Sequence, residues 1–342
     1  MSVINFVIDE LTVNRLTKNM GWLETYIPEV ATRLEGTDFS VVYDQEAGFD
    51  LLHIHMPLRL AYRLSNNGDH NYPIIYHGHA TEDSFSVGRG AKYSLRIWFK
   101  KIASKSNIIL CPSRSAEDYF RTLLPGHTIE QLNYGINLAK YSFSEESCIS
   151  FREQYGIKDN ELVVSCVGGI SRRKGIDDFI NISKRNPELK FMWVGGEYTD
   201  NTGIDIFYKM FARQGDISLK DLPDTILVTG YIKDIPAALS ASNIFFFPSR
   251  HETQGLALIE AAANGRPIIT RDLPVFREWL TPGKDCLMGG SEEEFDSCIR
   301  QLANDKELRH RLGREARNSA EKYHDINKTS QRLGQIYQEL LD

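Results

Sequence analysis

Glu252 and Glu260 lie in the stretch HETQGLALIE (251–260), with seven residues between them. The first carboxylate belongs to a small polar turn, Thr253-Gln254-Gly255, and the second lies well inside an apolar run that reads as a helix. Carboxylates accept hydrogen bonds from vicinal hydroxyls, so two at different depths suit two hydroxyl-bearing parts of one long ligand, such as a ribose and a sugar. Gly255 removes a side chain where the backbone N–H groups of Gly255, Leu256 and Ala257 can approach a ligand closely, at a helix start that favours an anion. A plainer reading stays open: one glutamate on a helix dipole and one ordinary surface glutamate.

Cations occur at a comparable position upstream. In GGISRRKGIDDF (168–179), Arg172, Arg173 and Lys174 stand just ahead of a helical segment, which suits a phosphate but also fits three solvated side chains on a loop. The chain has neither a GxxxxGK[ST] loop nor a GxGxxG fingerprint here, which weakens a nucleotide-hydrolase or dehydrogenase reading. A third loop, TGYIKDIPAAL (229–239), exposes Tyr231 and Ile232, which could flank a base. In the first half, MGWLETYIPEVATRL (20–34) begins a helix at Gly21, and YHGHA (76–80) places His77 at a strand end. A lone strand-end histidine is more often a structural hydrogen-bonder than a functional group.

The elements that must position these residues are legible as continuous apolar runs. VINFVI (3–8), FSVVY (39–43), DLLHIH (50–55), PIIYH (73–77) and NIILC (107–111) read as strands buried on both faces of a parallel sheet. The same grammar restarts with LVVSCVG (162–168), KFMWVGG (190–196), TILVTG (225–230), NIFFFPS (243–249) and PIITR (267–271). The expected fold is α/β with two Rossmann-like, doubly wound units in tandem: residues 1–140 on the acceptor side, 141–320 on the donor side, and a closing helix (321–342) returning to the first unit. The polar, Ser-rich stretch 137–157 reads as the link between them. Ligands of such sheets bind at the carboxyl ends of the strands, so a cleft between two facing sheets is expected.

Bulk properties narrow the classes. A length of 342 residues suits two domains, and a net charge of −6 argues against nucleic acid as a partner. The five cysteines form no CxxC pair and no His/Cys ligand spacing, which points to scattered thiols in a reducing compartment rather than a metal site. The N-terminus lacks a basic leader and a long apolar core, so a cytoplasmic protein is expected. Against the acidic whole, residues 88–107 hold six basic residues and no acid, with Arg89, Lys92, Arg96 and Lys100 at helical spacing and Tyr93, Leu95, Trp98, Phe99 and Ile102 interleaved. Such a helix either docks on an anionic membrane surface or packs inward with a solvated basic face.

The order of motifs resembles the retaining, GT-B-fold glycosyltransferases of family 4. FDLLHIH, IIYHGH, NIILCPSRSAEDYF, YGINLAKY, GGISRRKGIDDF, MWVGGE, ETQGLALIEAAANGRPII and PGKDCLM carry the resemblance over nearly the whole chain. It implies transfer of a hexose from a nucleoside-diphosphate sugar to a glycan or lipid-linked acceptor, with no cofactor. Arg173 and Lys174 would bind the donor diphosphate, and N–H groups around Gln254, Gly255, Leu256 and Ala257 would cap its oxygens. Glu260 would hold the ribose, Glu252 the transferred sugar, and Tyr231 and Ile232 the base. Gly21 would lie beneath the diphosphate, and His77 would touch the sugar near the reacting carbon. The chain has Gly169 where the family often has an arginine, so Arg172 and Arg173 both remain candidates for that place. No Asp-x-Asp occurs, so the loop cations rather than a divalent metal would carry the charge of the leaving diphosphate. A sugar-nucleotide-binding partner without turnover is the competing reading.

Overall fold

The computed structural model describes residues 1–8, 21–68, 71–84, 89–196, 222–223 and 225–342. Its first six strands are β1 (Ser2–Val7), β2 (Phe39–Tyr43), β3 (Leu51–Ile54), β4 (Ile74–His77), β5 (Ile108–Cys111) and β6 (Ile129–Gln131). They form one sheet in the order β2-β1-β3-β4-β5-β6, every pair parallel. All residues of β3, β4 and β5 are buried, which is why their sequences run apolar without alternation. Helices α1 (Gly21–Leu34), α2 (Arg59–Ser65), α3 (Arg89–Ala103) and α4 (Arg114–Leu123) lie between these strands. Ser113 caps α4 by accepting from the Ala116 N–H.

Helix α3 has a split character. Phe99, Ile102 and Ala103 join the buried core with Leu52, Ile54, Tyr76 and Phe120, and Leu95 and Trp98 pack against it half-buried. Trp98 also donates its Nε1–H to the Pro57 carbonyl at 2.6 Å. Four of the five interleaved apolar residues therefore face the protein, the inward of the two readings, because their spacing matches the core-facing side of the helix. Tyr93 and Ile97 remain outside, 67% and 51% exposed, among the exposed Arg89, Arg96 and Lys100.

The second sheet comprises β7 (Val163–Val167), β8 (Lys190–Val194), β9 (Ile226–Val228), β10 (Ile244–Phe247), β11 (Ile268–Arg271) and β12 (Leu287–Gly289). Its order is β12-β11-β10-β7-β8-β9, again parallel throughout. The associated helices are α5 (Glu145–Gln154), α6 (Ile176–Arg185), α7 (Ile235–Ser240), α8 (Leu256–Ala263), α9 (Pro274–Arg277), α10 (Glu292–Asn304) and α11 (Lys306–Tyr323). Phe179 of α6 packs on Phe191, Trp193 and Phe246. Fully burying one such aromatic contributes roughly 1.5–3 kcal/mol. Within the stretch 137–157, α5 is held to this unit by the buried Arg152, whose guanidinium donates to the Ala241, Lys158 and Glu161 carbonyls and to Asn243.

Two compact units result, one from residues 1–136 together with 326–342, the other from 137–196 and 222–325 among the described residues. Ile326 donates its N–H to the Ile136 carbonyl, so the closing helix α12 (Ile326–Leu341) joins the first unit where that unit's chain leaves it, while α11 stays in the second. The last strand of each sheet to appear in the chain, β6 and β12, has three residues and is not signalled by an apolar run. With Glu130 and Gln131 in one and Gly289 in the other they form no apolar run, whereas β9, an edge strand of the same length reading Ile-Leu-Val, does.

Candidate active site

In the second sheet the winding direction reverses between β7 and β10, and the carboxyl ends of those two neighbours are where ligands of such sheets bind. The loop after β7 carries the Arg172–Lys174 cations, and the loop after β10 carries Glu252. Ser171 begins the first loop by accepting from the Lys174 N–H, and the three cations form a single 3-10 turn. Gly175 then takes a left-handed conformation, φ 77°, where a Cβ would stand 2.5 Å from the Pro248 carbonyl oxygen. Absence of a side chain thus lets the two loops touch.

Several contacts lock them together. Arg173 donates to the His251 carbonyl at 3.0 Å, and its own carbonyl accepts from the Arg250 N–H at 2.8 Å. Arg250 reaches Asp177 and Asp178 at the start of α6, and Arg271 also binds Asp178. Glu252 receives Lys174 Nζ and Ser249 Oγ on the same oxygen, Oε1, each at 2.6 Å, with Arg173 Nη1 3.8 Å away. The Glu252 and Lys174 side chains are 8% and 14% exposed. Burial works to raise the Glu252 carboxyl, and the attraction of Lys174 and Arg173 with the two hydrogen bonds overcomes it, leaving the acid below its ordinary range. Lys174 is lowered by burial against the pull of Glu252. Arg173 and Lys174 are thereby gathered with Glu252, while Arg172 is exposed and its side chain lies apart from the cluster.

Helix α8 starts at Leu256 behind Gly255, which has φ 85° and would place a Cβ 3.1 Å from the Phe276 ring. Its first N–H groups, on Leu256 and Ala257, have no partner inside the helix and emerge beside Glu252 in sequence, with Gln254 buried before them. Glu260, one helical turn further, is buried and accepts from Tyr141 Oη at 2.7 Å. Burial raises its carboxyl to about 7, with the Tyr141 bond, Lys140 and Lys174 pulling the other way. Tyr231 is 45% exposed and Ile232 half-buried on the loop after β9, two strands away from β7. Ser249 and Tyr141 escaped the sequence reading. A serine and a tyrosine flanking strand and linker carry no spacing signal, and only the fold brings their hydroxyls to the two glutamates.

In the first unit, His77 at the end of β4 is not alone. It belongs to a buried group with His53, His55 and His79. His77 Nδ1 meets His53 Nε2 at 3.3 Å, and His53 Nδ1 meets Tyr337 Oη of α12 at 2.6 Å. His55 Nδ1 meets His79 Nε2 at 2.9 Å, and His79 Nδ1 meets Tyr134 Oη at 2.6 Å. The Nε2 atoms of His55 and His77 are buried without a partner among the described residues. Burial lowers all four imidazoles, His77 to about 3, so the group is uncharged at neutral pH. His53, His55 and His77 each offer a nitrogen within 4.8 Å of the others, a spacing a metal ion could use after some contraction. Gly21 is the first residue of α1, and residues 9–20, including Met20, lie outside the described residues.

The sequence pattern described as "Glycosyl transferases group 1" matches residues 149–319. The chain is 27% identical over 282 residues to the processive diacylglycerol alpha-glucosyltransferase of Acholeplasma laidlawii, covering 80% of each protein. Among solved structures it superposes on sucrose-phosphate synthase from Thermosynechococcus elongatus with a TM-score of 0.80 at 16% identity, covering 99% of each chain. Anabaena HepE, in complex with UDP and glucose, gives 0.77 at 17% identity, covering 99% of this chain and 100% of that one. The structural likenesses establish the fold, GT-B, as two tandem Rossmann-like units.

Proposed function

The chain belongs to the glycosyl transferases group 1 and is a glycosyltransferase, and we propose that it moves a hexose from a nucleoside-diphosphate sugar to a hydroxyl of a lipid-linked acceptor, with retention and without a metal. The observation that carries the donor half is the convergence of Arg173, Lys174 and Glu252 with the open start of α8 at the reversal point of the second sheet. As the glycosidic bond breaks, the departing diphosphate gains negative charge, and fixed cations and amide dipoles stabilise that charge more than they stabilise the intact donor.

Arg173 and Lys174 serve the diphosphate. Lys174 is paired with Glu252, so donor binding redistributes a contact already made, and Glu252 is released toward the sugar hydroxyls. Glu260 takes the ribose as a carboxylate, exchanging its Tyr141 contact or sharing it. Tyr231 and Ile232 flank the base, and Arg172 stays at the margin. HepE is a protein of this fold whose structure holds UDP and glucose, which favours a uridine donor here.

For the acceptor, support comes from the Acholeplasma relative, a diacylglycerol glucosyltransferase by name, and from the outer face of α3. Tyr93 and Ile97 amid Arg89, Arg96 and Lys100 suit an anionic membrane surface, and no helix among the described residues is long and apolar enough to cross a membrane. Incubation with UDP-, GDP- and ADP-hexoses and diacylglycerol vesicles, with products resolved by mass spectrometry, tests the reading. A hexosyl-lipid formed in excess chelator is the expected product; its absence with every donor, or strict dependence on added manganese or magnesium, contradicts it.

A further inference from the structure

Asn243 and Pro267 stand just ahead of β10 and β11, and with Arg266 and three residues of α11, Lys306, Arg309 and His310, they line a hollow of about 250 Å³. The loops after β7 and β10 leave from the other end of the same parallel strands, so the hollow is separate from the Glu252 cluster. Spacing at i, i+3 and i+4 puts Lys306, Arg309 and His310 on one side of α11. Gly313, a turn beyond Arg309, seats that helix: a Cβ there would collide with the Gly265 carbonyl oxygen, so glycine lets α11 reach the turn that holds Arg266.

The lining is rich in donors. Arg266 donates to the Ser242 carbonyl beyond α7 at 2.7 Å and to the Asn264 carbonyl after α8, with its guanidinium 5.0 Å from the Phe143 ring centre. Arg309 donates to the Leu302 and Ala303 carbonyls in the last turn of α10. Asn243 Oδ1 accepts from the Val163 N–H and from Arg152, which leaves Nδ2 without a partner among the described residues. Among the same residues neither Arg266 nor Arg309 meets a carboxylate, and Lys306 and His310 meet no partner. Burial lowers the Arg266 guanidinium to about 10 and lowers Arg309 as well, and both stay charged at neutral pH. Asp305, whose charge reaches Arg309, is engaged by the Leu308 N–H as the cap of α11. A helix end carries only about half a negative charge, so the carbonyls leave the cations around the hollow in excess.

We propose that this hollow is an anion site for a phosphoryl group, carried by a small soluble phosphate ester or by a lipid headgroup. Two guanidiniums from different elements, an ammonium and an amide converge on it with no carboxylate among the lining residues. That donor set fits oxygens arranged tetrahedrally about one centre better than the two coplanar oxygens of a carboxylate. The volume suits a phosphoryl group with a small substituent, being below the roughly 300 Å³ at which pockets for larger ligands begin.

Calorimetric titration of inorganic phosphate and of pyrophosphate into the full chain carrying Arg173→Ala/Lys174→Ala tests the hollow with the donor-site cations removed. Binding is expected there. Adding Lys306→Gln/His310→Gln, two exposed side chains outside the core, should weaken it about tenfold, the scale of a lost hydrogen bond to a charged group. Lys306→Glu, which sets a carboxylate at the hollow and suits the first turn of a helix, should abolish it. No binding, or equal binding in all these chains, overturns the inference. Flotation with phosphatidylglycerol vesicles, in a chain also carrying Arg89→Gln/Arg96→Gln/Lys100→Gln, then separates the two carriers. Flotation weakened by Lys306→Glu assigns a lipid headgroup, and flotation unmoved by it assigns a soluble ester. A wild-type chain that transfers no hexose would defeat the proposed function and leave this site standing.

Discussion

Lys174 Nζ stands 2.6 Å from Glu252 Oε1, both side chains largely buried, so the cation of one loop and the acid of the other hold each other. Removing one partner of such a pair strands the other. Lys174→Met is expected to cost about 3 kcal/mol, the low end for a broken buried pair, because Arg173 remains 3.8 Å from the same oxygen. The double variant Lys174→Met/Glu252→Gln should recover much of that loss in chemical denaturation. Neither variant should transfer sugar. Strictly additive losses in the double variant would show that the pair is not coupled.

Glu260 gives a pH signature. Its carboxyl is raised from 4.5 to about 7 in the folded chain, first of all by burial. Between those values the native state holds a proton that the unfolded state releases, so the contribution is complete below 4.5 and is lost as pH rises through 7. Glutamine keeps an acceptor for Tyr141 and has no proton to lose. Glu260→Gln should therefore match the wild type near pH 5 and exceed it near pH 8, by up to about 3 kcal/mol, in the absence of ligand. Donor affinity should fall in the same variant. Equal stability at both pH values would remove the buried acid from the account.

Contact between the two loops depends on Gly175. Alanine there meets both a left-handed φ of 77° and the Pro248 carbonyl oxygen at 2.5 Å. Gly255→Ala meets a φ of 85° and a softer neighbour, the Phe276 ring edge at 3.1 Å. Backbone strain alone is worth about 1–3 kcal/mol, so both should lower the melting temperature, Gly175→Ala by more, and both should raise donor KM. Thermal unfolding of the two variants side by side checks the order.

Much of this is legible in the sequence. Buried parallel strands leave unbroken apolar runs, and ten of them could be read; β6 and β12 could not, since Glu130, Gln131 and Gly289 break any apolar run there, while the equally short edge strand β9 keeps one. Glu252 and Glu260 stood out as two carboxylates at different depths of one helix start, and Arg173 and Lys174 as cations just ahead of another. Their partners Ser249 and Tyr141, and the company of His77, were hidden because they come from different elements and meet only through the fold. The apolar residues of α3 left two readings open for a related reason: helical spacing shows that a face exists, and packing decides which way it looks.

The outward side of α3 makes its own forecast. Arg89→Gln/Arg96→Gln/Lys100→Gln should weaken binding to vesicles containing anionic lipid by about 1 kcal/mol per charge removed. Transfer to a water-soluble acceptor should be unaffected. Tyr93→Ser/Ile97→Ser should weaken vesicle binding at high salt as well, where screening has already reduced the charge contribution. Vesicle flotation that does not change in either set would assign these residues to ordinary surface.

Calorimetric titration of UDP and of uridine into the wild type and into Arg173→Ala/Lys174→Ala addresses the central claim most directly. With the diphosphate held by these two cations and the start of α8, the wild type should bind UDP well above uridine, and the variant should lose at least tenfold for UDP while uridine binding stays the same, a difference of about 1.4 kcal/mol or more. Equal UDP affinity in the two proteins, or a parallel loss for uridine, would contradict the account.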